Sequence, residues 1–439
     1  MRRTLAAAAC ALAVAVVAGC GGGDEIVGLD RVGDPDAPRT LVLQVNADFS
    51  PQAAVPEQAK GFRDLFARWA RRHPQWRVDL NIIPGAQSTS EQARLLEKAR
   101  VGRAPDCANV DSFTVPLFVQ QKVLTPIDRF VPKAERDDLL PYVRDVMTGP
   151  DGRIYAYWWS TDLRVLWRNT ELMPKAPKTT DELIEFAKAA EKKNPKVDGY
   201  LFNGGRWEGT TFDNLAFFWM QGGKLLGDDG EPIFASGENR QKLVNELAFL
   251  QQAVKSGVSP ARVATITDYS EFETAAAGGT AASFLGGSFQ YPALEASLPK
   301  KEFEKWDFSA IPGLEPGQYS TGAGGWTMAA LTKDPAKVEA CMSIIREIYI
   351  GEGNELTGQL PTTRRLYETL PTFKEPVYKR FRELAQEGQA RPGLAIYPEL
   401  SNQMQIAIGS VLTGESTPEQ AVANAGERVQ QAYDLLAGD

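Results

Sequence analysis

The sequence predicts an α/β fold, on three observations. Short β-rich runs alternate with amphipathic helical stretches, the order that βαβ units require. Apolar residues make up 43% and charged residues 24% of the 439, so the chain has room for about two or three domains and a sizeable core. That balance excludes a disordered chain, a polytopic membrane protein and a disulfide-stapled miniprotein. No short-period repeat or long low-complexity tract breaks the alternation.

Residues 40–46 are β-rich, follow Pro38 and read as the first core strand. A helix comes next, with Phe62, Leu65, Phe66 and Trp69 on one face. From 77 to 84, Val78, Leu80 and Ile82 alternate as a second strand requires. Ser88 and Glu91 have capping-box spacing for a helix carrying Leu95, Leu96 and Ala99, and a third strand surrounds 104–111. The pattern then restarts at 154–168, an extended run unusually rich in Tyr and Trp. Thr179 and Glu182 form a second capping box, for a helix through about Lys193. Residues 225–234 read as a hairpin with a Gly-Asp turn, and 238–255 as a helix ended by Gly257 in a left-handed cap. Extended segments follow at 281–289, 306–311 and 326–331, and Asp334-Pro335 opens a helix up to about Gly351. The last quarter reads as largely helical, with Pro418 starting the final helix to Ala437.

A formal net charge of -8 argues against a general nucleic-acid binder, which needs excess Lys and Arg to displace counterions. His73 is the one histidine, so most His-ligated metal sites and Ser-His-Asp hydrolases are nearly excluded. It is expected at an exposed helix end, without function. Asp228, Asp229 and Glu231 lack the spacing of a calcium loop and fit a hairpin turn instead. No metal and no cofactor is expected.

Arg2 and Arg3 precede the uncharged run 5–18, which is too short to cross a bilayer and reads as the apolar core of a signal peptide over 1–19. Val17-Ala18-Gly19-Cys20 looks like a bacterial lipobox, whose small residues admit a signal peptidase and whose Cys20 thiol accepts diacylglycerol. Cleavage would remove Arg2 and Arg3 and leave 46 basic against 56 acidic residues, a net charge of -10. Residues 20–38 then have the Gly, Asp and Pro content of a flexible tether, and a triacylated terminus anchors stably. The expectation is a soluble body leashed to the membrane outside the cytoplasm. Cys10 leaves with the leader, so Cys107 and Cys341 remain; that compartment permits a disulfide, with two buried thiols as the default.

Several short segments fall in a suggestive order: Gly102-Arg-Ala-Pro-Asp106; Gly152-Arg-Ile-Tyr-Ala-Tyr157 followed by Leu166-Trp-Arg-Asn169; Gly278-Gly-Thr-Ala-Ala-Ser283 through Phe289; Gly324-Gly-Trp-Thr-Met-Ala-Ala330; Leu360-Pro-Thr-Thr-Arg364; and Arg391-Pro392. With the lipobox, this run resembles the family 1 extracellular solute-binding proteins of bacterial ABC importers, in particular carbohydrate-binding members such as maltose- and trehalose-binding lipoproteins. The resemblance covers about 40–437. It implies a periplasmic-binding-protein-like fold, in which two α/β lobes joined by hinge strands enclose a ligand cleft. Lobe 1 would hold 38–158 plus 317–352, and lobe 2 would hold 160–308 plus 356–439. Both remaining cysteines then fall in lobe 1, which keeps a disulfide open. The implied protein is a monomer without catalysis, and its partners are a carbohydrate and the permease subunits of the importer.

A sugar presents apolar C–H faces and a rim of hydroxyls, so its receptor needs flat aromatic walls and planar hydrogen-bonding groups. Trp158 and Trp159 stand at the inferred hinge beside Asp162, and strand alternation would turn one of the two tryptophans into the cleft. Arg206, Trp207 and Glu208 lie among Gly204, Gly205 and Gly209, which suggests a ligand-facing turn. Relatives place a stacking aromatic at the position of Phe289, and Trp326 is expected to act similarly. Arg391, before Pro392, is either paired within the protein or aimed at the ligand. Arg364 reads as structural or as a rim residue. Asn46, Asp48 and Asp111 lie at C-terminal strand ends, where open α/β sheets present ligand groups. Ser401 departs from the resemblance, since maltose-binding proteins carry another aromatic there, and this leans towards a smaller or differently shaped glycan. The alternatives are a same-fold receptor for a polyamine or organic anion, or an extracellular glycoside-acting enzyme using Glu208 with Asp162 or Asp111.

Overall fold

The computed structural model describes residues 26–28, 30–84, 89–227 and 229–437, so the leader, Cys20, Ser88 and Asp228 lie outside the described residues. Nine strands are found among the described residues: Arg31–Val32 (β1), Arg39–Asn46 (β2), Trp76–Ile83 (β3), Cys107–Asp111 (β4), Ala156–Asn169 (β5), Ser283–Gly287 (β6), Trp306–Ser309 (β7), Thr321–Ala330 (β8) and Gly388–Ala390 (β9). They are hydrogen-bonded in the order β1-β3-β2-β4-β8-β5-β6, with β7 on β5 and β9 on β8.

The parallel pairs β2–β3 and β2–β4 are joined through the helices Pro56–Arg72 and Thr89–Arg100. Phe62, Leu65, Phe66 and Trp69 recur at helical spacing on the first of these and are all buried. The chain leaves β2 towards β3 on one side and returns to β4 on the other. The carboxyl ends of β2 and β4 therefore open a crevice at a topological switch point. Asp48 and Asp111 stand at its mouth.

β5 carries the chain onwards. Its first half, Ala156 to Leu163, pairs with β8, and its second half pairs with β6 and β7. Two sheets thus share one strand, the mixed α/β architecture the resemblance implies. A register shift falls between Trp158 and Ser160, opposite Thr327 and Trp326, and the next residue of β8, Gly325, pairs with Thr161. At φ 138° Gly325 occupies backbone space closed to other residues, and a Cβ there would overlap the Ser160 carbonyl oxygen. The helices Glu208–Trp219, Gly237–Lys255, Tyr397–Leu412 and Pro418–Ala437 pack on one another beyond the second sheet. No helix of the described residues is long and apolar enough to cross a membrane.

Helix termini follow the sequence signals. Thr179 accepts the Glu182 amide at 3.2 Å, and the Glu182 carboxylate reaches back to the Lys178 amide at 2.7 Å, one residue earlier than in the usual box. Asp334 caps Pro335–Ile344, and Gly257 follows Gly237–Lys255 at φ 84°.

Two expectations are corrected. Cys107 and Cys341 form a disulfide instead of resting as two thiols, because β4 and the helix Pro335–Ile344 bring their Cα atoms to 5.9 Å. His73 does end its helix but is half-buried, stacked on Trp69 at 4.8 Å with Nε2 at 2.8 Å from Glu347.

Candidate ligand-binding site

A cavity of about 640 Å³ opens at the crevice. Its floor is built on two buried arginines. Arg164 lies two residues after Asp162 on β5, so both side chains leave the same face. Its Nη1 donates to Asp162 at 2.6 Å, its Nε to Asp213, and its Nη2 to the Tyr269 hydroxyl at 3.1 Å. Asp213 is fully buried and also accepts from Asn203 at 2.6 Å and Tyr269 at 2.8 Å. Burial alone would lower the Arg164 pKa, but Tyr269, Asp162 and Asp213 outweigh it and hold the guanidinium charged.

Arg391 occupies the second position. Its Nη1 donates to Glu208 at 3.0 Å and its Nη2 to Asp111 at 2.9 Å. Glu208 accepts further bonds from Tyr397 at 2.8 Å and Ser401 at 2.6 Å. Burial lifts the Asp111 carboxyl to about 6 despite the opposing pull of Arg391, with Glu208 and Asp162 adding to the rise. The Phe212 ring lies between the two guanidiniums, 4.1 Å from Arg164 and 3.9 Å from Arg391. Each cation gains from the ring face what water can no longer supply.

The walls are aromatic. Tyr269 meets Trp207 and Phe289 edge-on, both at 5.0 Å. From the β2 and β8 side come Phe49 and Trp326, 6.3 Å apart. Trp326 and Phe289 are half-buried and line the cavity, so part of each ring faces open space.

Of the twelve ligand-facing residues expected, eight surround this cavity: Asp48, Asp111, Asp162, Trp207, Glu208, Phe289, Trp326 and Arg391. Four do not, and these are corrections. Trp158 is fully buried, its indole N–H given to the Ser160 carbonyl. Trp159 is buried between Phe49 and Tyr349. Alternation failed for this pair because β5 is covered on both faces, which leaves no outward side for either ring. Asn46 sits within the sheet, where its amide donates to Asn109 at 3.2 Å, two residues short of the crevice. Arg206 is exposed and donates to Asn402 at 2.7 Å, away from the cavity.

Arg391 is paired within the protein while lining the cavity. Ser401, where an aromatic was missed, is a buried anchor for Glu208. Arg364 donates to the Asp137 carbonyl outside the cavity. Sequence reasoning overlooked Arg164, Phe212, Asp213 and Tyr269. One signal was available: Asp162 and Arg164 on one face of a largely apolar, aromatic run require partners wherever that strand is buried.

A family model described as "Bacterial extracellular solute-binding protein" matches residues 53–341. A "Probable ABC transporter-binding protein" of Deinococcus radiodurans is 28% identical over 321 residues, which is 68% of this chain and 73% of the relative. Among solved structures, the maltose-bound MalE3 of T. maritima is similar with a TM-score of 0.76 at 22% identity, covering 90% of this chain and 99% of its own. An ABC transporter solute-binding protein of Thermotoga lettingae, bound with α-D-tagatose, has a TM-score of 0.75 at 23% identity, again covering 90% and 99%. The chain therefore belongs to the bacterial extracellular solute-binding proteins.

Proposed function

We propose that this protein is the substrate-binding lipoprotein of an ABC importer, which captures a di- or oligosaccharide in the cavity and passes it unchanged to a membrane permease. The observation that carries this reading is the pairing of half-buried rings on two sides with a hydrogen-bonding floor, the complement of a sugar's apolar faces and hydroxyl rim. The maltose and tagatose held by its structural neighbours support it. The lobes are read as 38–158 plus 317–352 and 160–308 plus 356–439, and Cys20 as the lipid-bearing residue of a monomer. An anionic guest is disfavoured, because both cavity arginines are already bound to carboxylates. Hydrolysis is disfavoured as well: the Glu208 oxygens already accept from Arg391, Tyr397 and Ser401, the bonding of a structural carboxylate.

Thermal unfolding of the lipid-free body, residues 21–439, tests the reading. A cognate saccharide at a thousandfold excess over its Kd is expected to stabilise by about 4 kcal/mol. Phe289→Ala and Trp326→Ala should each weaken that ligand about tenfold or more, a loss of ~1.4 kcal/mol, with folding intact. Failure of every mono-, di- and trisaccharide to stabilise, or wild-type affinity in both variants, would remove the reading.

A further inference from the structure

Two of the cavity rings lie directly on glycines. Trp207 immediately precedes the helix Glu208–Trp219, and its indole folds back over Gly209, the second residue of that helix. Phe289 immediately precedes the helix Gln290–Ser297, and its ring folds back over Gly287, the last residue of β6. A Cβ at Gly287 would overlap the Phe289 ring, and one at Gly209 would overlap the indole. At each site the three nearest atoms all belong to that one ring. Even the third of them, at 2.8 Å for Phe289 and 2.7 Å for Trp207, lies well inside the ~3.5 Å of an ordinary carbon contact.

Neither glycine is there for its backbone. φ is positive at neither, so the local conformation admits any residue. Glycine also weakens a helix or a strand relative to alanine. What it supplies here is room for a ring. No hydrogen bond sets either ring instead: a phenyl group has none to make, and the buried Trp207 Nε1 has no partner among the described residues. Gly287 cannot retreat, because its amide donates to Gln290 at 2.9 Å and its carbonyl accepts from Trp167 at 3.0 Å. Tyr269 touches both rings and is itself held by Asp213 at 2.8 Å. Both rings are half-buried and line the cavity, so the open side of each faces the guest. A ring lifted off its glycine by about 1 Å enters that space.

We infer that Gly287 and Gly209 are specificity-determining residues of the cavity: each seats the ring beside it, and the depth of the two seats sets the space left for a guest. The inference takes its guest from the saccharide reading above and adds what limits the size of that guest.

Two measurements on the lipid-free body test it, and the first needs no ligand. Urea unfolding of the wild type, Gly287→Ala, Phe289→Ala and the double variant forms a cycle. With the ring removed, Gly287→Ala is expected to stabilise by about twofold to fivefold in the unfolding constant, because alanine restricts the unfolded chain. With the ring present, that gain should vanish or reverse. The same change in both backgrounds means that ring and glycine are uncoupled, and overturns the inference. The second measurement is calorimetric titration with D-glucose, maltose and maltotriose. Gly287→Ala and Gly209→Ala should each weaken maltose and maltotriose by about tenfold to a hundredfold, the usual penalty of overpacking, and D-glucose least. Wild-type affinities in both variants, or equal weakening of all three sugars, overturns the selectivity role and leaves the saccharide reading in place. Binding of none of the three by the wild type counts against the saccharide reading, and the cycle alone then decides the seats.

Discussion

Replacing Arg164 with methionine is expected to cost about 3–5 kcal/mol of stability, the usual result of stranding one partner of a buried ion pair. Asp213 has no exposed surface and would keep only Asn203 and Tyr269 as donors. Asp162 would lose its guanidinium, and the Phe212 ring would lose one of its two cations. Saccharide affinity should fall together with stability, because Tyr269 holds both Trp207 and Phe289 in place. Urea unfolding measures the loss. The double variant Arg164→Met with Asp213→Asn should recover part of it, since an amide needs no counter-ion. A loss below about 1 kcal/mol for the single variant would mean that the pair is solvated and that the floor is not built as described.

Removing the disulfide should have an effect of similar size by another route. Cys107 and Cys341 are 234 residues apart, and cross-linking a loop of that length restricts the unfolded chain by roughly 5 kcal/mol. Unfolding under reducing conditions, or of the variant with Cys107→Ser and Cys341→Ser, should show a correspondingly lower midpoint. Ligand affinity measured well below that midpoint should stay close to wild type, because neither cysteine lines the cavity. Equal midpoints with and without reductant would show that the bridge does not form in solution.

What the sequence made legible was local. Apolar spacing located the first helix, capping residues located helix starts, and the ends of β2 and β4 put Asp48 and Asp111 at a switch point. Phe289 and Trp326 reach the cavity as the resemblance implied. What stayed hidden was long-range. Arg391 meets Glu208 from 183 residues away and Asp111 from 280, and no spacing rule reaches that far. Trp158 and Trp159 misled because period-two alternation reports a face only when one side of the strand meets solvent, and β5 has no such side. Asp213 was overlooked because nothing local marks it, yet every residue of Glu208–Trp219 is buried, which turns an ordinary carboxylate into a fixed part of the floor.

A crystal structure of the protein grown with the best-stabilising saccharide would show whether the cavity between these rings holds a sugar and leaves it intact. The expected density is an unbroken sugar with its C–H faces on Phe289 and Trp326 and its polar rim towards Asp162, Arg164 and Glu208. A sugar bound elsewhere on the surface, or a cleaved product in the cavity, would contradict it.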